Sequence, residues 1–270
     1  MELLRHRLAG FLMAALGSLA ASGCVVGIVD LDESDGPWNK EATSVVHRTM
    51  PVSSQRGILV LGVNGNVCVL GVDGAMEVSI RATKRVLSNS IADAEAHLSD
   101  IKVRVLSTSN EIRVETDQPD ESGNRTYAVD YEITVPADFS VVGVNGNGNM
   151  ALEGVRSDAD LKLANGNVTL ERMVGSAWVA LGNGNLRASM SLPDGGEIIF
   201  AVGNGTTVLT LQPDVSAELT ARVGNGTISV SGLNLGNPVA GTNAFSATLG
   251  SGAGLIDLAV GNGHIQVKGS

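Results

Sequence analysis

Three carboxylates, Glu153, Asp158 and Asp160, come nearest to a catalytic group in this chain. Asp158 and Asp160 alternate, so a strand would show both on one face. Paired carboxylates hydrolyse sugars at suitable separations or bind calcium. Enzymes that cleave polysaccharide in a groove usually set basic residues beside them, yet residues 136–270 contain only six Lys and Arg. Solvated turn carboxylates are the plainer reading. His47, His97 and His264 are scattered, with no HxxxH or CxxC spacing, so no metal site is expected. No G-x-S-x-G nucleophile motif occurs, and the Gly-Gly-x-Gly-x-Asp pattern of calcium-binding rolls is absent. Cys68 follows Gly65 by three and is out of phase with Val67 and Val69. It could be a reactive thiol, an intermolecular disulfide or an inert, partly buried thiol. Trp178 is also out of phase with the apolar positions around it. An outward Trp could stack on a sugar or meet a partner, or cover a corner of the core. These residues predict no catalytic group and no cofactor.

Composition narrows the class. Of 270 residues 34 are Gly and 7 Pro, and 43% are apolar. Such a chain buries a core, and without a G-X-Y period it is not collagen. Two Cys exclude a disulfide scaffold. A net charge of −10 argues against nucleic acid as partner, which needs a concentrated basic face.

The first residues supply an address. Arg5 and Arg7 precede an uncharged stretch over residues 8–22, and Ala21-Ser22-Gly23-Cys24 closes it. A charged start, an apolar run and small residues describe a secretory signal. With Cys next, the segment resembles the bacterial lipoprotein signal, although Ala21 stands where Leu is commoner. The resemblance implies cleavage of residues 1–23 and lipidation of Cys24. Val25 rather than Asp after the Cys implies the outer membrane. An uncleaved span over residues 8–29 is the alternative. The mature chain would carry −11 and touch the membrane through its lipid anchor.

Residues 24–50 read as an acidic linker broken by Gly36-Pro37. Residues 51–138 read as strand-rich with one helix over 90–99, where Ser90 can cap and Asp93 follows three later. Residues 139–270 carry the main pattern. Asn147-Gly148, Asn165-Gly166, Asn183-Gly184, Asn204-Gly205, Asn225-Gly226 and Asn262-Gly263 recur, with Gly spacings of 18, 18, 21, 21 and 37. Asn64-Gly65 is an earlier outlier, and Ser251-Gly252-Ala253 in the wide gap reads as a degenerate copy. Apolar residues alternate on both sides of each Asn-Gly, which is strand periodicity. Asn-Gly is the strongest short turn signal.

Each unit is therefore strand, turn, strand, turn, and stacking identical units predicts an all-β parallel β-solenoid with an Asn ladder. The competing arrangement is an antiparallel meander or sandwich. The stretch Val129-Asp-Tyr-Glu-Ile-Thr-Val-Pro136, the repeated corners and the terminal Gly263-His-Ile-Gln-Val-Lys-Gly269 resemble a bacterial envelope family with a β-strand-repeat domain, labelled putative adhesins. The resemblance covers residues 57–269 and implies an envelope-facing β-solenoid without assigned chemistry. The expected function is non-enzymatic: an adhesin-like binding or structural surface that contacts envelope glycan or protein. An accessory or sensory part of an envelope-stress system is the alternative, and a polysaccharide-active enzyme the third.

Overall fold

The computed structural model describes residues 40–119 and 123–270. Residues 1–23, Cys24 and most of the expected linker lie outside them. The first half contains β1 (Lys40–Pro51), β2 (Gly57–Leu61), β3 (Val67–Val72), β4 (Glu77–Ser88), α1 (Ile91–His97), β5 (Lys102–Ser107), β6 (Glu111–Asp117) and β7 (Thr126–Pro136). The second contains β8 (Ser140–Asn147), β9 (Met150–Glu153), β10 (Ala159–Asn165), β11 (Val168–Val174), β12 (Ala177–Asn183) and β13 (Leu186–Ser191). It continues with β14 (Glu197–Leu211), β15 (Ala217–Ser231), β16 (Leu235–Ala240), β17 (Ala244–Leu249) and β18 (Gly254–Gly269). The protein is all-β with one α-helix among the described residues.

Period-2 alternation decides what each strand buries. Leu161 and Leu163 before the corner, and Val168 and Leu170 after it, are buried, while Lys162 and Asn165 are exposed. One repeat cannot cover such a stripe, so it packs on its copies. Strands entering the corners form one parallel ladder. In it β8 pairs with β10, β10 with β12, and β12 with the first half of β14, Asn147, Asn165, Asn183 and Asn204 falling in register. Strands leaving the corners form a second parallel ladder through β9, β11, β13 and the second half of β14. Strands β14, β15 and β18 run unbroken through their corners.

Rung order departs from chain order. Strand β18 pairs in parallel with β14 on one side and β15 on the other. The corner of Asn262 therefore lies between those of Asn204 and Asn225. The wide gap holds no degenerate rung: β17 pairs antiparallel with β15, and β16 with β17. Ser251–Ala253 is simply the connection into β18. At the other end β2 pairs in parallel with β8 and β3 with β9, which makes Asn64, bridged to Asn147, the first corner.

The parallel array expected over residues 139–270 is corrected at its far end, where β17 runs antiparallel to β15 and β16 to β17. Strand β5 is antiparallel to β6, β4 to β7 and β1 to β4. Residues 108–110 alone join β5 to β6, and neighbours joined by so tight a turn must reverse. The linker expectation over 24–50 is corrected too, because its last part is β1. Helix α1 packs against β1 and β4, with Ser90 Oγ accepting the Asp93 N–H at its start. Arg125 grips Asp93 through two contacts of 2.7 Å. That guanidinium holds the Asp93 carboxyl well below the usual carboxylate range, and a hydrogen bond from Ser88 lowers it further.

Candidate functional site

The corners are built first, because they set the spacing of everything else. Gly148, Gly166 and Gly184 have φ of +125°, +138° and +138°. A Cβ on Gly166 or Gly184 would drive into the carbonyl oxygen of the preceding corner Gly. Only Gly lets the rungs approach this closely. The Asn side chains then form a ladder. Asn147 Nδ2 donates to Asn64 Oδ1 at 2.7 Å, Asn165 to Asn147 at 3.0 Å, and Asn183 to Asn165 at 2.8 Å. Asn204 donates to Asn183, Asn262 to Asn204 and Asn225 to Asn262, each at 2.8 Å. A second ladder runs two residues on through Asn66, Asn149, Asn167 and Asn185 to the Thr206 N–H. Asp130, buried behind it, accepts from Asn66 at its start.

The ladder fixes an outward face on the entering strands. Two outward columns run across the rungs. The first reads Val142, Asp160, Trp178, Ile199, Asp257 and Thr220. The second, nearer the corner, reads Val144, Lys162, Ala180, Ala201, Ala259 and Arg222. Beside the second column lies an open groove of about 870 Å³, its middle lined by Ala180, Gly182, Ala201, Gly203, Ala259 and Gly261. The lining is mostly apolar because three successive rungs turn only Ala and Gly outward there, over Leu181, Val202 and Val260. Lys162 and Arg222 flank this stretch on either side. Four rung spacings separate them, roughly 19 Å along the stack. Both cations are paired, Arg222 with Asp257 at 2.7 Å and Lys162 with Asp160 at 3.7 Å. Trp178 is half-buried on the same strand as Ala180. Such a groove can hold a narrow apolar or flat ligand and meet charge at either end.

Glu153, Asp158 and Asp160 each have a partner of their own, Asp160 with Lys162 as given above. Glu153 is 1% exposed and paired with Arg172. Asp158 Oδ1 accepts the Ser176 N–H at 3.0 Å, which is turn chemistry. Among the described residues no group of His, Cys, Asp or Glu could hold a metal. His264 is bonded to Thr227 at 2.8 Å on the end rungs. Cys68 is buried on β3. No described helix is long and apolar enough to cross a membrane. The sequence reading found Trp178 but missed the groove. The missed signal is periodic: Ala180, Ala201 and Ala259 each stand three before a corner Asn.

No family model and no curated protein matches this chain. Solved structures do. A putative cell adhesion protein from Clostridium sporogenes is 13% identical with a TM-score of 0.47, covering 84% of this chain and 100% of that one. A putative adhesin from Bacteroides fragilis is 13% identical with a TM-score of 0.31, covering 84% and 97%. One from Parabacteroides distasonis is 13% identical with a TM-score of 0.28, covering 83% and 97%.

Proposed function

We propose that this protein is a lipid-anchored β-solenoid of the cell envelope that works without catalysis, as an adhesin-like binding surface. The observation that carries the reading is the outward groove, with Trp178 beside its Ala and Gly floor and Lys162 and Arg222 at its flanks. An apolar recess on a strongly acidic chain favours a partner with apolar or ring faces, such as envelope glycan or an envelope protein. Cys24, behind its lipobox-like segment, is the anchor in this reading, and residues 25–39 the spacer. The outer membrane is the proposed location, from Val25.

Photo-crosslinking in cells from a reactive residue at Ala201, followed by mass spectrometry, tests the groove. Glycan or envelope protein captured from that position, and lost in Trp178→Ala, is the expected result. Capture unchanged by Trp178→Ala, with an unchanged melting temperature, would overturn it. One stoichiometric membrane protein would instead favour the accessory or sensory role. The anchor needs its own test. The chain has two cysteines, so a diacylglycerol thioether at Cys24 and a disulfide joining it to Cys68 exclude each other. Intact mass before and after reduction separates them: lipid mass on the N-terminal peptide supports anchoring, and a bridge that reduction opens refutes it.

A further inference from the structure

We infer that Asn225-Gly226, the last corner of the array, is a site of spontaneous deamidation that the other corners are built to resist. The chemistry needs only the chain and water. The Gly backbone nitrogen attacks the Asn Cγ, a C–N bond forms, and the side-chain amide leaves as ammonia, taking up the Gly amide proton. The resulting succinimide is opened by water to aspartate or isoaspartate. Asn-Gly is the pairing most open to this reaction, because Gly puts no side chain in the path of attack. The chain carries seven such pairs at its corners.

Stacking removes the nucleophile from six of them. The Gly65 N–H donates to the Asn147 carbonyl at 2.9 Å, Gly148 to Asn165 at 3.0 Å, Gly166 to Asn183 at 2.9 Å, and Gly184 to Asn204 at 2.9 Å. Gly205 and Gly263 stand at the same place in the same parallel register, Gly205 covered by the rung of Asn262 and Gly263 by the rung of Asn225. Each carboxamide is also held at both ends: its Nδ2 gives to one rung and its Oδ1 accepts from the next. Attack at such a corner must first break these bonds.

Among the described residues Gly226 has no further rung to face. On its outer side β17 pairs with β15 only as far as Arg222. Asn243 extends the cover to the Val223 N–H and the Gly224 carbonyl, and stops there. Asn225 and Gly226 are both exposed. Asn225 Nδ2 still donates to Asn262, but among the described residues no side chain donates to its Oδ1. The opposite end is different. There β7 covers the corner: Tyr127 accepts from Asn64 Nδ2 at 3.2 Å, and the Val129 N–H donates to the Asn64 carbonyl at 2.8 Å. The exposed nucleophile therefore belongs to one end alone. Reaction there would put oxygen where Asn225 now donates to Asn262, and isoaspartate would lengthen the main chain at the corner. The outer edge of β15 would loosen first.

The test is peptide mapping of the folded protein held in mildly alkaline buffer, with isoaspartate and aspartate scored at each of the seven corners over time. Asn225 is expected to react about tenfold faster than any interior corner, the margin that one or two hydrogen bonds provide. A parallel sample in denaturant should react at comparable rates at all seven. An interior corner, or Asn64, converting as fast as Asn225 in the folded protein would overturn the inference. So would the same lead for Asn225 in denaturant, because the cause would then be local sequence rather than the missing rung.

Discussion

Replacing Gly184 by Ala should be among the most damaging single-methyl additions in this protein. Gly184 sits in mid-array with φ +138°, a region that side chains avoid. Holding Ala there costs roughly 1–3 kcal/mol in backbone strain. The new Cβ would also run into the Gly166 carbonyl oxygen, which belongs to backbone and cannot swing aside. The rungs must part, weakening the Gly184 N–H bond to Asn204 and the Asn183 bond to Asn165. Each contributes about 1 kcal/mol net. The sum is about 3–5 kcal/mol, or on the order of 10 °C in melting temperature for a chain of this size. The control is Gly74→Ala. Gly74 also has positive φ, +69°, but nothing lies within 4 Å of its would-be Cβ. Only the left-handed penalty of about 1–2 kcal/mol applies there. Urea unfolding of both variants reads the difference. Losses of unfolding free energy within about 1 kcal/mol of each other would refute the claim that rung contact, rather than φ alone, demands Gly.

Thr207 is 1% exposed, its hydroxyl has no hydrogen-bond partner among the described residues, and it is flanked in register by Leu186 and Ile265. Thr207→Val should therefore stabilise by about 1 kcal/mol, seen as a higher urea midpoint at equal slope. Asp93 titrates lower in the folded chain than its ordinary 3.8, so its contribution is present above that pH and lost as pH falls through the folded value. The stability gap between the native chain and Asp93→Asn, followed by thermal melts, should stay level down to pH 3.8 and close below it. A gap that closes near neutral pH would point to another group.

The corners and the core stripe were legible because their causes are local. Asn-Gly makes its own turn, and period-2 alternation shows which residues face inward whatever the neighbour. That is why Leu161, Leu163, Val168 and Leu170 could be placed in the core from spacing alone. Order along the stack has no local cause. Every rung offers the same edge, so nothing near Asn262 says that it enters between Asn204 and Asn225. The hairpin of β16 and β17 decides it by reversing direction and occupying the edge beyond β15. Asn64 looked like an outlier for the same reason, since its partner Asn147 lies 83 residues away. The groove is the clearest case. Ala180, Ala201 and Ala259 are unremarkable small residues in sequence, and only stacking lays them side by side between two cations. Backbone chemistry within a few residues belongs to the sequence alone. The choice among equivalent edges, and the surface that choice creates, belongs to the tertiary structure, because pairing energies are compared only once the whole chain has collapsed.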